Sequence, residues 1–205
     1  MTEKTVAVIG AGGHSRSLIN LLELNKIEIT GVYDDSYKPF KKELINSYCI
    51  LGKVRDIPNK STVVLAIGDN EKRRRAFLKF KKRIFQKDLI HPRAVIEKRV
   101  ITYGFNQVFS GVYLNSNVVM GYNNILNTNS ILEHEVNIGN HNHISVNVVL
   151  CGRVRIGDHC FIGAGAVIID GIKICNNVTI GANAVVVQDI ETAGVYVGNP
   201  VKKIK

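Results

Sequence analysis

The sequence predicts two domains of different fold class, an α/β domain over residues 1–92 and an all-β coil over residues 93–205. Three observations predict this. Through the first ~90 residues, β-branched runs ending in glycine or aspartate alternate with helical spacing. From Ala94 the apolar period changes to six and holds to Asp189 without insertion. The junction between the two patterns lies at Ile90-His91-Pro92. With 45% hydrophobic and 21% charged residues, the 205-residue chain has the balance of a folded protein rather than a disordered one.

Thr5 to Ile9 reads as a strand, broken by Gly10-Ala11-Gly12-Gly13. Leu18, Leu21, Leu22 and Asn25 then keep three- and four-residue spacing, which predicts a helix. Ile27 to Tyr33 is a second strand, ending at Asp34-Asp35. Residues 36–60 have weak periodicity and read as loop. Thr62 to Ile67 is a third strand, ending at Gly68-Asp69-Asn70. Glu71 to Arg83 is a second helix with Ala76, Phe77, Phe80 and Ile84 on its apolar side, and the basic stretch Lys72 to Lys87 reads as its solvated face. Lys87 to Ile90 reads as a short fourth strand. Repeated β-α-β order argues for a parallel sheet with right-handed crossovers.

Beyond Ala94 the chain divides into sixteen consecutive hexads. The third residue of every hexad is aliphatic or Met, Thr102 excepted. Glycine follows it at Gly121, Gly139, Gly157, Gly163 and Gly181, and the first position is mostly small or β-branched. A helix has no physical reason to hold a period of six. A chain that turns a corner every six residues does, because each flat face donates one aliphatic side chain to a central stack. Gly and Asn at the corners suit turns that need φ > 0.

The net charge of +10 suits anionic small molecules as well as nucleic acid, and much of it lies in the one helical stretch, so nucleic acid is not the expected partner. The opening residues lack the layout of a signal peptide, and no segment reaches the roughly 18 apolar residues of a membrane span. A cytoplasmic location away from membranes is expected. Cys49, Cys151, Cys160 and Cys175 form no C-x-x-C pair, so neither zinc nor a redox pair is expected.

Two places carry chemistry. Gly10, Gly12 and Gly13 follow a strand and open a helix, where backbone amides can approach an anion. Ser15 stands where G-x-G-x-x-G requires its third glycine, which speaks against an ordinary NAD site. Asp34 and Asp35 fall about where an acidic residue meets a ribose in Rossmann-type folds; the alternative is two solvated loop aspartates. In the repeat, His134 lies between Glu133 and Glu135. A histidine can take a proton near neutral pH, and a carboxylate on its other ring nitrogen fixes the tautomer, the pairing a general base needs. An exposed corner histidine with acidic neighbours is the alternative. Residues 18 apart lie one coil apart on the same edge, which stacks Gly152 over His134 and offers its N–H to an oxyanion. The density of histidines (His134, His141, His143, His159) could suggest a metal, but the spacing lacks a ligand motif and none is expected. His141 and His159 read as surface residues. Cys151 lies near His134 in this register, but an apolar setting would make it a poor nucleophile.

The opening Gly-Ala-Gly-Gly-His, Asp34-Asp35, Ala66 to Asn70, Ile90-His91-Pro92, Asn127 with Glu133-His134-Glu135, and the ending Gly194 to Pro200 together resemble one family. It is the hexapeptide-repeat bacterial acetyltransferases that act on nucleotide-linked amino sugars, with relatives that O-acetylate sialic acid. The resemblance implies a Rossmann-like N-terminal domain and a left-handed parallel β-helix. It implies acetyl-CoA as co-substrate, no metal, and a homotrimer with sites between adjacent prisms. The implied activity is N-acetylation of the 4-amino group of a UDP- or dTDP-linked amino-deoxy sugar. His134 is then the base and Glu135 its orienting carboxylate. Gly10, Gly12, Gly13, His14, Asp34, Asp35, Gly68, Asn70 and Asn127 serve the sugar nucleotide; His143, Gly152, Gly163 and Gly181 serve acetyl-CoA. A sugar O-acetyltransferase and a non-catalytic nucleotide-sugar scaffold are the alternatives.

Overall fold

The structure, a computed structural model, describes residues 5–38 and 44–205. It divides into two compact units, Met1–Leu89 and Ile90–Lys205. In the first, the elements are β1 (Thr5–Ile9), α1 (Gly13–Leu24), β2 (Glu28–Tyr33), β3 (Leu44–Ile45), β4 (Tyr48–Gly52), β5 (Val63–Leu65) and α2 (Asn70–Phe80). The sheet order is β3-β4-β2-β1-β5. β1 pairs in parallel with β2 and with β5, and β2 with β4; among the described residues of this unit only β3 and β4 pair antiparallel. The chain moves from β1 out to β2 and then returns to place β5 on the other side of β1. That reversal is a topological switch point, and the loops leaving β1 and β5 part there to open a crevice. Val6, Ala7 and Val8 are buried in succession, as in a strand covered on both faces. Leu18, Ile19, Leu21 and Leu22 of α1 are fully buried.

The region read as loop contains the β3–β4 hairpin and a 3-10 turn at Val54–Asp56; residues 39–43 of that reading lie outside the described residues. β3 is too short for alternation to register, and Tyr48 to Leu51 of β4 is an unbroken apolar run rather than an alternating one. The expected fourth strand is also reassigned. Leu89–Ile90 lies beside Gln107–Val108 in a sheet of the second unit, where it forms the first rung of the coil. The period of six reaches back one rung past the proline.

In the second unit each hexad folds as a strand at its second and third positions, two residues long except for Val178–Ile180, followed by a corner. The strands stack into three parallel sheets in an 18-residue register, for example Tyr113↔Ile131, Val119↔Asn137 and Ile125↔His143. This is a parallel β-helix. Third-position Leu114, Met120, Leu126, Leu132 and Ile144 and first-position Val112, Val118 and Val136 all point inward and are fully buried. Each side chain of this size stabilises by about 1.5–3 kcal/mol on burial. Four first positions depart from the apolar rule, small Ser130 and three asparagines. Asn106, Asn124 and Asn142 form an internal ladder. Each Oδ1 accepts from the backbone N–H eighteen residues on, at 2.6–2.8 Å, and each Nδ2 donates 2.9 Å to the carbonyl of Gly121, Gly139 or Gly157. Both polar ends are satisfied, so the amides cost little inside. Gly194–Gly198 adds in parallel to Val178–Ile180 and turns back through Val201–Lys203, which covers the last rung.

The corners obey one backbone rule. Every sixth-position residue from Arg99 to Asn183 has φ between 54° and 77°. The fourth-position glycines do not, which corrects the expectation that they supply the φ > 0 turns. They answer a different demand. A Cβ on Gly121 would lie 2.5 Å from the carbonyl oxygen of Gly139, and one on Gly163 would lie 2.6 Å from the backbone of Gly181. They let successive coils close.

Candidate active site

In the first unit, the crevice at the switch point encloses about 760 Å³, within the range of small-molecule sites. Its walls are the ends of three neighbouring strands: Ile9, Gly10, Gly12, Gly13 and His14 after β1, Asp34 and Asp35 after β2, and Ala66 to Asp69 after β5. Gly10 has φ +108° and no room for a Cβ, which would lie 2.7 Å from the Ala66 carbonyl oxygen. Gly12 and Gly13 are different. A Cβ at either would meet nothing within 4 Å, so packing does not require glycine there; their smallness keeps the crevice open. Gly12 caps α1 without a side-chain bond and no acidic residue occupies the first turn, which leaves the positive helix end toward an anion.

The two aspartates are fastened rather than loose. Asp34 accepts from the Ala11 N–H at 2.8 Å and from the Ser36 N–H and hydroxyl at 2.8 and 2.6 Å. Partial burial pushes its carboxyl up, but these hydrogen bonds outweigh burial and hold it below its ordinary value. Asp35 accepts from the Val54 N–H at 3.1 Å. Lys72, Arg75 and Lys79 of α2 also line the crevice. Sequence reading missed them because a basic run on a helix looks like a solvated face. Asn70, expected beside the substrate, accepts at its Oδ1 a hydrogen bond from the Arg73 guanidinium at 2.8 Å.

In the second unit His134 occupies a corner, with its side chain about half exposed. The turn falls at Glu135, whose φ is +61°. Strand alternation would have put Glu133 and Glu135 on one side, away from His134. The left-handed residue instead brings the Glu135 carboxylate 3.3 Å from His134 Nδ1. Glu133 is occupied elsewhere, accepting 2.6 Å from Asn115 Nδ2. If Nδ1 donates to Glu135, Nε2 is bare and can take a proton; that tautomer follows from the partner. Nε2 lies over Gly152: a Cβ there would be 2.6 Å from Nε2 and 2.5 Å from Cε1. The coil ladder here runs from Cys151 N–H to Ile168 and from Arg153 N–H to His134, so neither of these bonds uses the Gly152 N–H.

Asp170, one coil beyond Gly152, completes this edge. It pairs with Arg153, whose hydrogen bond holds the Asp170 carboxyl below its ordinary value, with His134 adding to the effect. The same 18-residue arithmetic that found Gly152 reaches Asp170, and sequence reading stopped one step short. Burial, with Asp170 and Glu133 nearby, pushes the Cys151 thiol up, away from a thiolate nucleophile.

The remaining expected residues lie elsewhere on the coil. Asn127, Gly163 and Gly181 share the next edge, across one flat face from His134; Asn127 Oδ1 accepts from the Thr128 N–H at 2.9 Å. His143 is in the strand of a further face, buried, with its ring edge-on to Phe161. The expectation that His141 is a surface residue is corrected. It is buried, stacked 4.9 Å from His159 and joined to Asn123 at 2.6 Å. Among the described residues no group of three or more His, Cys, Asp and Glu side chains is placed to hold a metal ion, and no helix is long and apolar enough to cross a membrane.

Residues 5–80 match the family described as the PglD N-terminal domain. Residues 135–170 match the bacterial transferase hexapeptide (six repeats), and residues 153–188 the hexapeptide repeat of succinyl-transferase. Two solved structures are similar over nearly the whole chain. One is a mutant of GDP-perosamine N-acetyl transferase from Caulobacter crescentus in complex with CoA and GDP-perosamine, at 27% identity and TM-score 0.89, covering 98% of this chain and 97% of that one. The other is the acetyltransferase domain of PglB from Neisseria gonorrhoeae FA1090, at 28% identity and TM-score 0.89, covering 98% and 100%; a structure of that domain in complex with acetyl coenzyme A is similar at 27% identity. WeeI from Acinetobacter baumannii AYE, at 21% identity, shares the fold. No curated protein matches the chain. The chain is a hexapeptide-repeat acyltransferase carrying a PglD-type N-terminal domain.

Proposed function

We propose that this acyltransferase moves the acetyl group of acetyl-CoA to the 4-amino group of a nucleotide-linked amino-deoxy sugar, with His134 as general base. The observation that carries the reading is the corner at His134: a carboxylate on Nδ1 and open backbone beneath Nε2. Two similar proteins, the perosamine and PglB enzymes, are named as acetyltransferases, and their structures hold CoA with GDP-perosamine or acetyl-CoA. The neutral amine attacks the thioester carbon and forms the C–N bond. His134 Nε2 takes the amine proton, and the Glu135 carboxylate supports the imidazolium. The Gly152 N–H donates to the tetrahedral oxyanion. The C–S bond breaks, and the imidazolium returns its proton to the CoA thiolate. The Cys151 thiol takes no part.

Nucleotide binding is assigned to the crevice of the first unit. Amides at Gly12 and Gly13 with His14, and the cations Lys72, Arg75 and Lys79, receive the diphosphate; Asp34, Asp35 and Gly68 shape the ribose and base side. UDP and dTDP are the first candidates, and GDP joins them because a similar enzyme carries it. His143, Gly163 and Gly181 are assigned to acetyl-CoA and Asn127 to the sugar. They lie on other edges and faces than His134, which fits a homotrimer in which neighbouring prisms complete one site. A cytoplasmic location suits these co-substrates.

The test is CoA-thiol release with UDP-, dTDP- and GDP-linked 4-amino sugars and free sialic acid, for wild type and His134→Ala. Turnover on a nucleotide amino sugar, lost in the variant, is expected. Turnover on sialic acid alone would make the protein an O-acetyltransferase, and no turnover on any acceptor would leave the scaffold reading standing.

A further inference from the structure

Within the basic helix α2 one cation does not face solvent. Arg73 is completely buried, with neighbours Lys72 and Arg74 pointing outward. Burial pushes its guanidinium down, opposed by the Asp69 carboxylate, yet an arginine remains a cation at neutral pH. Its planar fork reaches back along the chain. Nη1 donates to the carbonyl oxygens of Ile67 and Gly68 at 3.3 and 3.1 Å, and Nη2 donates to Asn70 Oδ1 at 2.8 Å. These acceptors belong to the segment that leaves β5 and enters α2. On its other side that segment walls the crevice through Ile67, Gly68 and Asp69. Gly68 there stands close to His14, its Cβ position being 3.8 Å from the His14 Cβ. A buried charge is costly, and a leucine or methionine would fill the same volume without that cost. The fork is what an aliphatic side chain cannot supply: it satisfies two strand-end carbonyls and one side-chain amide at once.

We propose that Arg73 is a positioning residue for nucleotide binding, locking Ile67 to Asn70 from inside so that the crevice wall is preformed for a nucleoside diphosphate. The inference rests on the reading of the crevice as the nucleotide site. A preformed wall lowers the ordering cost of binding, so loss of the lock reduces affinity and leaves the chemistry at His134 untouched.

The experiment is calorimetric titration of UDP, dTDP and GDP into full-length wild type, Arg73→Met and Arg73→Lys, with steady-state kinetics on the nucleotide sugar the wild type turns over. The best-bound nucleotide is expected to bind Arg73→Met at least about tenfold more weakly. KM for the nucleotide sugar rises in step, while kcat and KM for acetyl-CoA stay within about threefold. Arg73→Lys keeps the charge without the fork and stays weak. Should Arg73→Met fail to fold, Arg73→Gln, which keeps a donor of shorter reach, carries the same comparison. A folded variant that binds within twofold of wild type overturns the inference alone, as does full rescue by lysine. Failure of the wild type to bind any of the three nucleotides overturns the reading beneath it.

Discussion

One flat face of the coil ends in two corners that follow the same backbone rule with different residues. Along the edge shared by Asn127 and Gly163, the left-handed positions are Gly111, Asn129, Asn147, Gly165 and Asn183. These are the residue types that accept φ > 0 at least cost. Along the edge of His134 the same column carries Arg99, Asn117, Glu135, Arg153 and Gly171, so three of its five positions depart from those types. A side chain with a poor fit to that conformation costs about 1–2 kcal/mol. The first edge is built for folding. The second gives up stability where Glu135 meets His134 Nδ1 and Arg153 meets Asp170, and it is the edge on which the proposed function puts the chemistry, the proposed working edge.

The largest test of that contrast is His134→Ala, expected to lower kcat by about 10²–10⁴-fold without changing nucleotide affinity. Equal activity in the variant would remove the working edge. Gly152→Ala comes next. Its methyl group collides with the imidazole, and the displaced ring is expected to cost about 10²-fold in kcat with the coil still folded. Glu135→Asn sharpens the comparison, because its two effects have opposite sign. Activity should fall about tenfold or more as Nδ1 loses its carboxylate, while melting rises because asparagine suits the corner, by up to about 1 kcal/mol. Asn147→Ala on the other edge should do the reverse, destabilising by about 1 kcal/mol with kcat unchanged.

The smallest expected effect lies in the crevice, at Asp34. Its carboxyl is held below its ordinary value in the folded state. The stability it contributes is therefore complete above the unfolded value and is lost as pH falls through the folded one. Asp34→Asn should melt lower than wild type at neutral pH, by about 1 kcal/mol, and the difference should shrink as acidification takes the solution below the ordinary carboxylate range. A gap that widens with acid would contradict the hydrogen-bond account.

The coil was legible because a period of six has one physical reading, and the strand positions follow from it residue by residue. Gly152 was legible from the same arithmetic. Glu135 was not legible from pattern alone, since strand alternation points it away from His134 and only the left-handed φ turns it back. The sequence shows that φ only indirectly, at the sixth place of neighbouring hexads, where Asn and Gly recur. The β3–β4 hairpin escaped because two-residue β3 carries no period and β4 is an unbroken apolar run without alternation. Arg73 escaped for a different reason: inside a run of lysines and arginines, nothing local separates the one that turns inward. The asparagine ladder broke the apolar pattern at three first positions while keeping its geometry.

The most direct test of the central claim is mass spectrometry of the acceptor after wild-type protein is incubated with acetyl-CoA and a nucleotide-linked 4-amino sugar. The account predicts a product heavier by one acetyl group, placed on the 4-amino nitrogen by fragmentation, and absent with His134→Ala. Acetyl found on a hydroxyl oxygen, or the same product formed by the variant, would contradict it.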